Sequence, residues 1–99
     1  MTYSYLGTMR TMPGQRAAVV EILLRSTDSL ADVGCRSYVV SLVDDDEDLI
    51  AVSEVWESAA HHAASLELPA TRAAIAEAMP MLAGEFTSVE GEVVGGLGA

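Results

Sequence analysis

Two apolar stretches of this chain, residues 35–43 and 49–56, follow each other with only the acidic run 44–48 between them. Both are rich in β-branched and aromatic side chains, which favours strands, and the short run between them is typical of a hairpin. Successive side chains of a strand point to opposite faces of a sheet. Because valine, leucine, isoleucine and alanine occupy both alternating sets, both faces of this hairpin need to be covered.

The rest of the chain supplies two further strands and three helices. Alternation predicts strands over residues 3–12 and 86–94, and the apolar spacing, the alanine content and the start residues predict helices over 15–30, 59–67 and 69–80. The order is β-α-β-β-α-α-β. With the last two helices counted as one crossover, this order is the split β-α-β plan of ferredoxin-like folds.

We therefore expect an α+β fold, with a four-stranded antiparallel sheet, in a single domain over residues 1–94. The glycine-rich residues 95–99 are expected to form a flexible tail. Helices cover only one face of such a sheet. Since the other face of the hairpin is also apolar, we expect a homodimer whose sheets pack face to face.

The charge balance excludes some classes of partner. Five arginines stand against fifteen acidic residues, there is no lysine, and the net charge is −10. Phosphate contacts from basic residues supply most non-specific affinity for nucleic acids, so nucleic acid and anionic membrane surfaces are disfavoured as partners. The chain shows no bilayer-crossing apolar run and no signal-peptide pattern, and its single cysteine, Cys35, cannot form an internal disulfide. A cytoplasmic protein is the expectation.

Residues 54–62 carry the chemistry that is most concentrated in this sequence. Glu54 and Trp56 share one strand face with two apolar side chains, and burying an unpaired carboxylate is costly. Glu54 therefore needs either a partner or a raised pKa, and both are common at functional sites. Ser58 is a good N-cap, which places His61 at the third helical position, close to the end of the strand. The segment is typical of the wall and rim of a pocket.

Two interpretations of Glu54 and of His61 remain open at this point. Glu54 is either a general base for a phenolic substrate or a structural ion-pair partner of Arg36 or Arg72. His61 is either a proton shuttle, since the pKa of histidine lies near physiological pH, or a solvated side chain. His62 is the weaker candidate of the two histidines.

Two aromatic residues also have alternative roles. Trp56 offers a flat wall for stacking on a polycyclic substrate, or it packs in the core or a dimer interface. Tyr38 either orients the substrate through its hydroxyl or is a buried tyrosine bonded to the backbone. We thus expect Trp56 and Tyr38 to bind substrate and Glu54 or His61 to be catalytic.

No metal site is expected. Adjacent helical residues point about 100° apart, so His61 and His62 cannot readily ligate one ion from the same helix. A calcium loop that opens at Asp44 would place Leu49 where glycine is required and Val55 where glutamate is required.

Several short segments, in this order, resemble the antibiotic biosynthesis monooxygenase (ABM) family of the dimeric α/β-barrel superfamily. They are residues 12–16, 34–38 and 54–58, His61 with residues 64–66, and residues 78–82. The resemblance implies a homodimer with one pocket per subunit, between the sheet and the helices. It also implies that Trp56 and a histidine of the following helix lie at that pocket.

Members of this family oxidise anthrones and hydroquinones with molecular oxygen, usually without flavin or metal, and one branch degrades haem. The anthrone-oxidising and haem-degrading branches use an asparagine, and this chain contains none. The leading hypothesis is a cofactor-independent oxidoreductase, a monooxygenase that acts on a small aromatic substrate such as a quinol or an anthrone, with molecular oxygen as co-substrate. The alternatives are a non-catalytic dimeric protein that binds a small ligand and, less favoured, a haem-degrading monooxygenase.

Overall fold

The computed structural model describes residues 1–25 and 27–99 and contains four strands, four α-helices and one 3₁₀ turn in those ranges. In chain order they are β1 (Tyr3–Thr11), α1 (Arg16–Leu24), α2 (Thr27–Ala31), β2 (Cys35–Leu42), β3 (Leu49–Trp56), α3 (Ala59–Ser65), α4 (Pro69–Ala78), the 3₁₀ turn (Met79–Met81) and β4 (Leu82–Glu92). None of the described helices is long and apolar enough to span a membrane.

The strands form one antiparallel sheet in the order β2-β3-β1-β4, which confirms the predicted ferredoxin-like α+β fold. The predicted hairpin is β2–β3, and β1 lies between β3 and β4. In this register Tyr5 of β1 lies opposite Glu54 on one side and opposite Glu90 on the other. Directly opposed residues of an antiparallel pair project from the same face of the sheet, so these three side chains share a face.

In place of the single helix predicted over residues 15–30, the structure has two helices, α1 and α2. Ser26 lies outside the described residues. The sequence after Leu24 contains Thr27 and Asp28, whose short polar side chains compete for backbone hydrogen bonds and favour helix starts over helix interiors. Asp28 lies in the first turn of α2, where the positive end of the helix dipole favours an acidic residue. The apolar spacing continues across both helices, which is why it predicted a single one.

The last strand begins four residues earlier than predicted, at Leu82 instead of Phe86. Pro80 lies within the 3₁₀ turn, as expected of a residue that cannot continue an α-helix, and the chain enters β4 directly after it. The strand ends at Glu92, and the backbone N–H of Val93 donates to Thr2, which adds one more link to β1.

The hydrophobic core lies between one face of the sheet and α1. Val19 of α1 and Ile50 and Val52 of β3 are fully or almost fully buried. Partly buried side chains from the strands, from α1 and from the end of the 3₁₀ turn pack around this cluster: Met9, Val20, Leu23, Tyr38, Val40, Met81 and Leu82.

None of the described helices lies on the opposite face of the sheet. We call it the open face. Leu6, Val39 and Val89 project from it with 50%, 52% and 67% of their surface exposed in the single chain. A shallow depression of about 280 Å³ lies on this face, and apolar, serine and threonine residues of all four strands line it. An apolar sheet face of this kind is typical of an interaction surface.

The core cluster yields a stability prediction. Replacing Ile50 by alanine is expected to lower the free energy of unfolding by about 3 kcal/mol, because the side chain is fully buried and leaves a cavity. Val94→Ala is the matched control, since Val94 is almost fully exposed. Urea denaturation measures both variants. Equal stabilities would contradict the location of the core.

Candidate functional site

A cluster of aromatic and acidic side chains lies where α3 meets the first residues of β1 and the last residues of β3. Ser58, in an extended conformation, ends the strand segment and caps α3: its Oγ accepts from the backbone N–H of His61 at 3.1 Å. This cap is the one predicted from sequence. Since α3 begins only three residues after β3, it carries the next helical side chains back over the sheet.

The imidazole of His62 lies at the centre of the cluster. Its ring centroid is 5.3 Å from that of Tyr3, 5.1 Å from that of Tyr5 and 5.5 Å from that of Trp56. The contact with Tyr5 is stacked and the contact with Trp56 is edge-on, both within the range of favourable ring pairs. We call Tyr3, Tyr5, Trp56 and His62 the aromatic cluster.

Glu54 lies beside the aromatic cluster and is only 8% exposed. Its Oε1 accepts a hydrogen bond of 2.9 Å from the indole Nε1–H of Trp56. The Nε2 of His62 approaches the same oxygen at 3.8 Å. Glu54 and Trp56 are two positions apart on β3, so their side chains project from the same face and meet without any distortion of the strand.

Burial raises the pKa of the Glu54 carboxyl above its ordinary value, and the hydrogen bond from Trp56 and the nearby His62 offset this only in part. Desolvation penalises the charged form of a carboxyl group, so the proton is held at higher pH than on an exposed glutamate. A carboxylate of this kind is a better proton acceptor near neutral pH than an ordinary one.

Two tyrosines next to Glu54 keep their hydroxyl protons. Tyr38 of β2 lies opposite Glu54 in the register and is half-buried; burial and the charge of Glu54 raise its pKa. Tyr3 donates its hydroxyl hydrogen to Glu90 Oε1 of β4, and burial together with this bond raises the pKa of Tyr3. Both hydroxyls are therefore donors over the physiological pH range.

His61 does not join the aromatic cluster. Its Nδ1 lies 2.6 Å from Ser58 Oγ, its Nε2 lies 3.5 Å from Glu57, and its ring packs against Gly34, where a Cβ atom would clash. The side chain of His61 is 47% exposed, against 14% for that of His62. The structure thus places His62, and not His61, against Glu54. His62, the fourth residue of α3, faces the sheet, whereas His61, the third, packs against Gly34.

The ion pair with Arg36 or Arg72, one of the two interpretations of Glu54, is not among the contacts that the structure describes. Arg36 donates to the hydroxyl of Thr2, and Arg72 lies 3.7 Å from Glu67. Neither of these contacts involves Glu54, whose contacts are Trp56 and His62. The i, i+2 spacing of a glutamate and a tryptophan on one strand is a signal that sequence analysis alone can use.

Tyr3 and Tyr5 were not among the site residues predicted from sequence, and His62 was ranked below His61. The alternation of Tyr3 and Tyr5 places both on one face of β1, but only the pairing of β1 with β3 brings that face beside Glu54. Their contacts with His62 depend on how α3 docks on the sheet, which the local sequence does not encode.

Trp56 lies in the packed interior and also holds Glu54 in position. It is 1% exposed, and its indole N–H at the same time binds Glu54.

A second surface depression, of about 380 Å³, lies apart from this cluster, between the end of α3 and α4. Among the residues that the structure describes, no three His, Cys, Asp or Glu side chains are grouped in the way a metal ion requires.

A family model and one solved structure indicate the same family. The family model described as antibiotic biosynthesis monooxygenase matches residues 2–77. A protein of Chloroflexus aurantiacus, provisionally described as an antibiotic biosynthesis monooxygenase, is 42% identical and has a solved structure. The match covers 97% of this chain and 96% of that one, with a TM-score of 0.85. No curated protein matches this chain.

More distant structures share the fold. A protein of Nitrosomonas europaea with the same provisional description is 13% identical, with 94% of this chain and 90% of that chain covered and a TM-score of 0.86. One of Caulobacter crescentus is 19% identical, with coverages of 95% and 91% and a TM-score of 0.86. At these identities the likeness shows the fold alone.

The burial of Glu54 yields a prediction about pH and stability. The folded protein holds the Glu54 proton more tightly than the unfolded chain, so the free energy of unfolding falls as pH rises from about 4.5 through the raised pKa. Glu54→Gln keeps an acceptor for Trp56 and removes the buried charge. We expect it to be more stable than the wild type at pH 8 by about 1 kcal/mol, with the difference shrinking toward pH 4.

Urea denaturation between pH 4 and pH 8 measures this difference. Asp45→Asn, which neutralises an exposed carboxylate of the β2–β3 loop, is the matched control and should show no such pH-dependent gain. A Glu54→Gln variant that loses stability equally at every pH would contradict the proposed burial cost.

Proposed function

The chain belongs to the antibiotic biosynthesis monooxygenase family, and from this premise we propose that it oxidises a small aromatic substrate, a quinol or an anthrone, with molecular oxygen and no cofactor. The family and the description of the Chloroflexus relative support a monooxygenase-type function in general. The observation that supports the more specific proposal is the buried carboxylate of Glu54 beside the aromatic cluster.

In this proposal Glu54 removes an acidic proton from the substrate. A raised pKa makes the carboxylate a stronger base than an exposed glutamate, and its hydrogen bond to Trp56 fixes the position of one oxygen. The contacts from Trp56 and His62 are both to Oε1, so in this proposal Oε2 takes the proton. The substrate anion is electron-rich enough to pass electrons to oxygen directly.

The overall reaction balances without an external reductant. For an anthrone, a ring CH₂ group and O₂ give a ring C=O group and one molecule of water. One oxygen atom forms the new carbonyl, and the other leaves as water with the two hydrogens of the former CH₂ group. The four electrons needed to reduce O₂ to the level of the carbonyl oxygen and water all come from the carbon that is oxidised.

The other side chains of the site have supporting roles in this proposal. The partly exposed rings of Tyr3 and Tyr5 hold the flat substrate by stacking, and the buried Trp56 positions Glu54. The protonated hydroxyl of Tyr38 donates to the peroxide-level intermediate, as preorganised donors do at a developing negative charge. His62, 3.8 Å from Glu54, relays the abstracted proton, a role for which the geometry favours it over the exposed His61.

The functional unit in this proposal is a homodimer formed through the open face. Leu6, Val39 and Val89 are half or more exposed in the single chain and lie on neighbouring strands of one surface. Packing two such faces buries both and leaves the helices outside, as sheet-to-sheet packing requires. The cluster next to α3 lies on the opposite face, so this packing leaves it outside the interface.

The catalytic proposal is tested by oxygen uptake with quinols and anthrones. Glu54→Gln is expected to lower kcat by about 100-fold or more, the usual contribution of a general base. His61→Ala is the matched control and should change kcat by less than about twofold, because the His61 side chain lies outside the aromatic cluster and contacts Glu57 and Ser58 instead. In the wild type, kcat should rise with pH as Glu54 ionises.

Two outcomes would contradict this proposal. Ligand binding without any oxygen uptake, unchanged by Glu54→Gln, would indicate the non-catalytic binding protein instead. Oxygen uptake that survives Glu54→Gln and is lost in His61→Ala would transfer the role of base to His61.

The dimer is tested separately by light scattering after size exclusion. Leu6→Glu places a charge on the open face and should convert a dimer to a monomer, because burying an unpaired carboxylate between two sheets is costly. Leu24→Glu changes a similarly exposed leucine on α1 and should leave the dimer intact. A wild-type protein that is monomeric at every concentration would contradict the proposed assembly.

A further inference from the structure

Carboxylates flank the aromatic cluster on both sides. Tyr5 lies opposite Glu54 on β3 and opposite Glu90 on β4, and Tyr3 lies opposite Glu92. Strands lie about 4.8 Å apart, so the backbones of Glu54 and Glu90 are about 10 Å apart across β1, with both side chains on the aromatic face. Glu90 and Glu92 are exposed, and Glu90 accepts from the Tyr3 hydroxyl.

No arginine contacts this group of carboxylates in the described part of the chain, and the sequence has no lysine. The five arginines contact other groups: Arg10 binds Asp46 and Glu85, Arg16 binds three carbonyls of the β2–β3 loop and its margins, Arg25 binds Glu77, Arg36 binds Thr2 and Arg72 lies near Glu67. Arg10 lies seven residues from Tyr3 along β1, a distance of about 23 Å in a strand.

The charges therefore act in one direction on any ligand of the aromatic cluster. A carboxylate, sulfate or phosphate group would lose its water beside Glu54, Glu90 and Glu92, and His62 is the one basic side chain among the described contacts of the cluster. A cationic group would meet carboxylates that attract it and aromatic ring faces that bind cations. An uncharged phenol would donate its hydroxyl hydrogen to a carboxylate.

We propose that this site accepts aromatic substrates that carry a positive charge or none, prefers those with a cationic amine, and rejects aromatic acids. This inference rests on the proposed function, because it takes the aromatic cluster as the substrate site. It deepens that proposal by stating which substituents the quinol or anthrone carries. The amine is placed at Glu90 and Glu92, and the ring hydroxyl at Glu54.

The test uses three matched hydroquinones that differ in one side chain: methyl, CH₂-carboxylate and ethylammonium. Binding is measured by calorimetry without oxygen, and the fluorescence of Trp56, the only tryptophan, reports whether the ligand occupies this site. At about 0.3 M salt, where long-range effects of the net charge are screened, the ammonium compound should bind at least about tenfold more tightly than the carboxylate. The methyl compound should fall between them.

The variant Glu90→Gln/Glu92→Gln should reduce this preference several-fold while it keeps an acceptor for Tyr3. The matched control, Asp44→Asn/Asp45→Asn, removes the same charge from the β2–β3 loop and should keep the wild-type preference. A carboxylate that binds as tightly as the ammonium compound, or a preference that both double variants reduce equally, would overturn the proposal.

Oxygen uptake with the same compounds separates the two levels of the account. Ammonium preference without oxygen uptake would leave the substrate class standing and overturn the monooxygenase. Oxygen uptake with the carboxylate as the best substrate would leave the monooxygenase standing and overturn the substrate class.

Discussion

The hydrogen bond between the indole of Trp56 and the carboxylate of Glu54 is the interaction on which the site depends. It holds a carboxyl group in the buried region between the sheet and α3, where desolvation opposes ionisation. The bond fixes one carboxylate oxygen, and the strand geometry that makes it possible also puts Tyr38 and Tyr5 on the two sides of Glu54. His62 covers the pair from α3.

The two faces of the sheet have different tasks. One face packs against α1 to form the core and, further along the same strands, carries the aromatic cluster and Glu54. The open face carries exposed apolar side chains and none of the described helices, and in our proposal a second copy of the chain covers it. A site beside α3 is then separated from the dimer interface by the thickness of the sheet, so substrate entry and dimerisation do not compete.

Much of this fold was predictable because its signals are local. The hairpin, the alternation of β1, the cap at Ser58 and the break at Pro80 each depend on a few neighbouring residues, and the structure contains all of them. The division of the predicted helix into α1 and α2 was missed because the apolar spacing continues from one helix into the next, although the short polar residues Thr27 and Asp28 favour a new helix start. The early start of β4 at Leu82 was missed because Leu82 packs against the core, a tertiary contact.

The site was predictable only in part, for a physical reason. Glu54 and Trp56 meet because they lie two residues apart on one strand, and the sequence shows that spacing directly. The choice between His61 and His62 depends on the rotation of α3 about its axis, since adjacent helical side chains point about 100° apart. That rotation is set by packing on Tyr3, Tyr5 and Trp56, from strands distant in sequence.

The central claim is that Glu54 is a buried carboxyl group with a raised pKa, bound to Trp56. The chain has one tryptophan, so a single indole N–H signal in a ¹H–¹⁵N spectrum reports on this bond without ambiguity. We expect that signal to shift with pH at a midpoint above 4.5, the ordinary value for glutamate, and to lose this transition in Glu54→Gln. A midpoint at or below 4.5, or an indole signal that titrates identically in Glu54→Gln, would contradict the account.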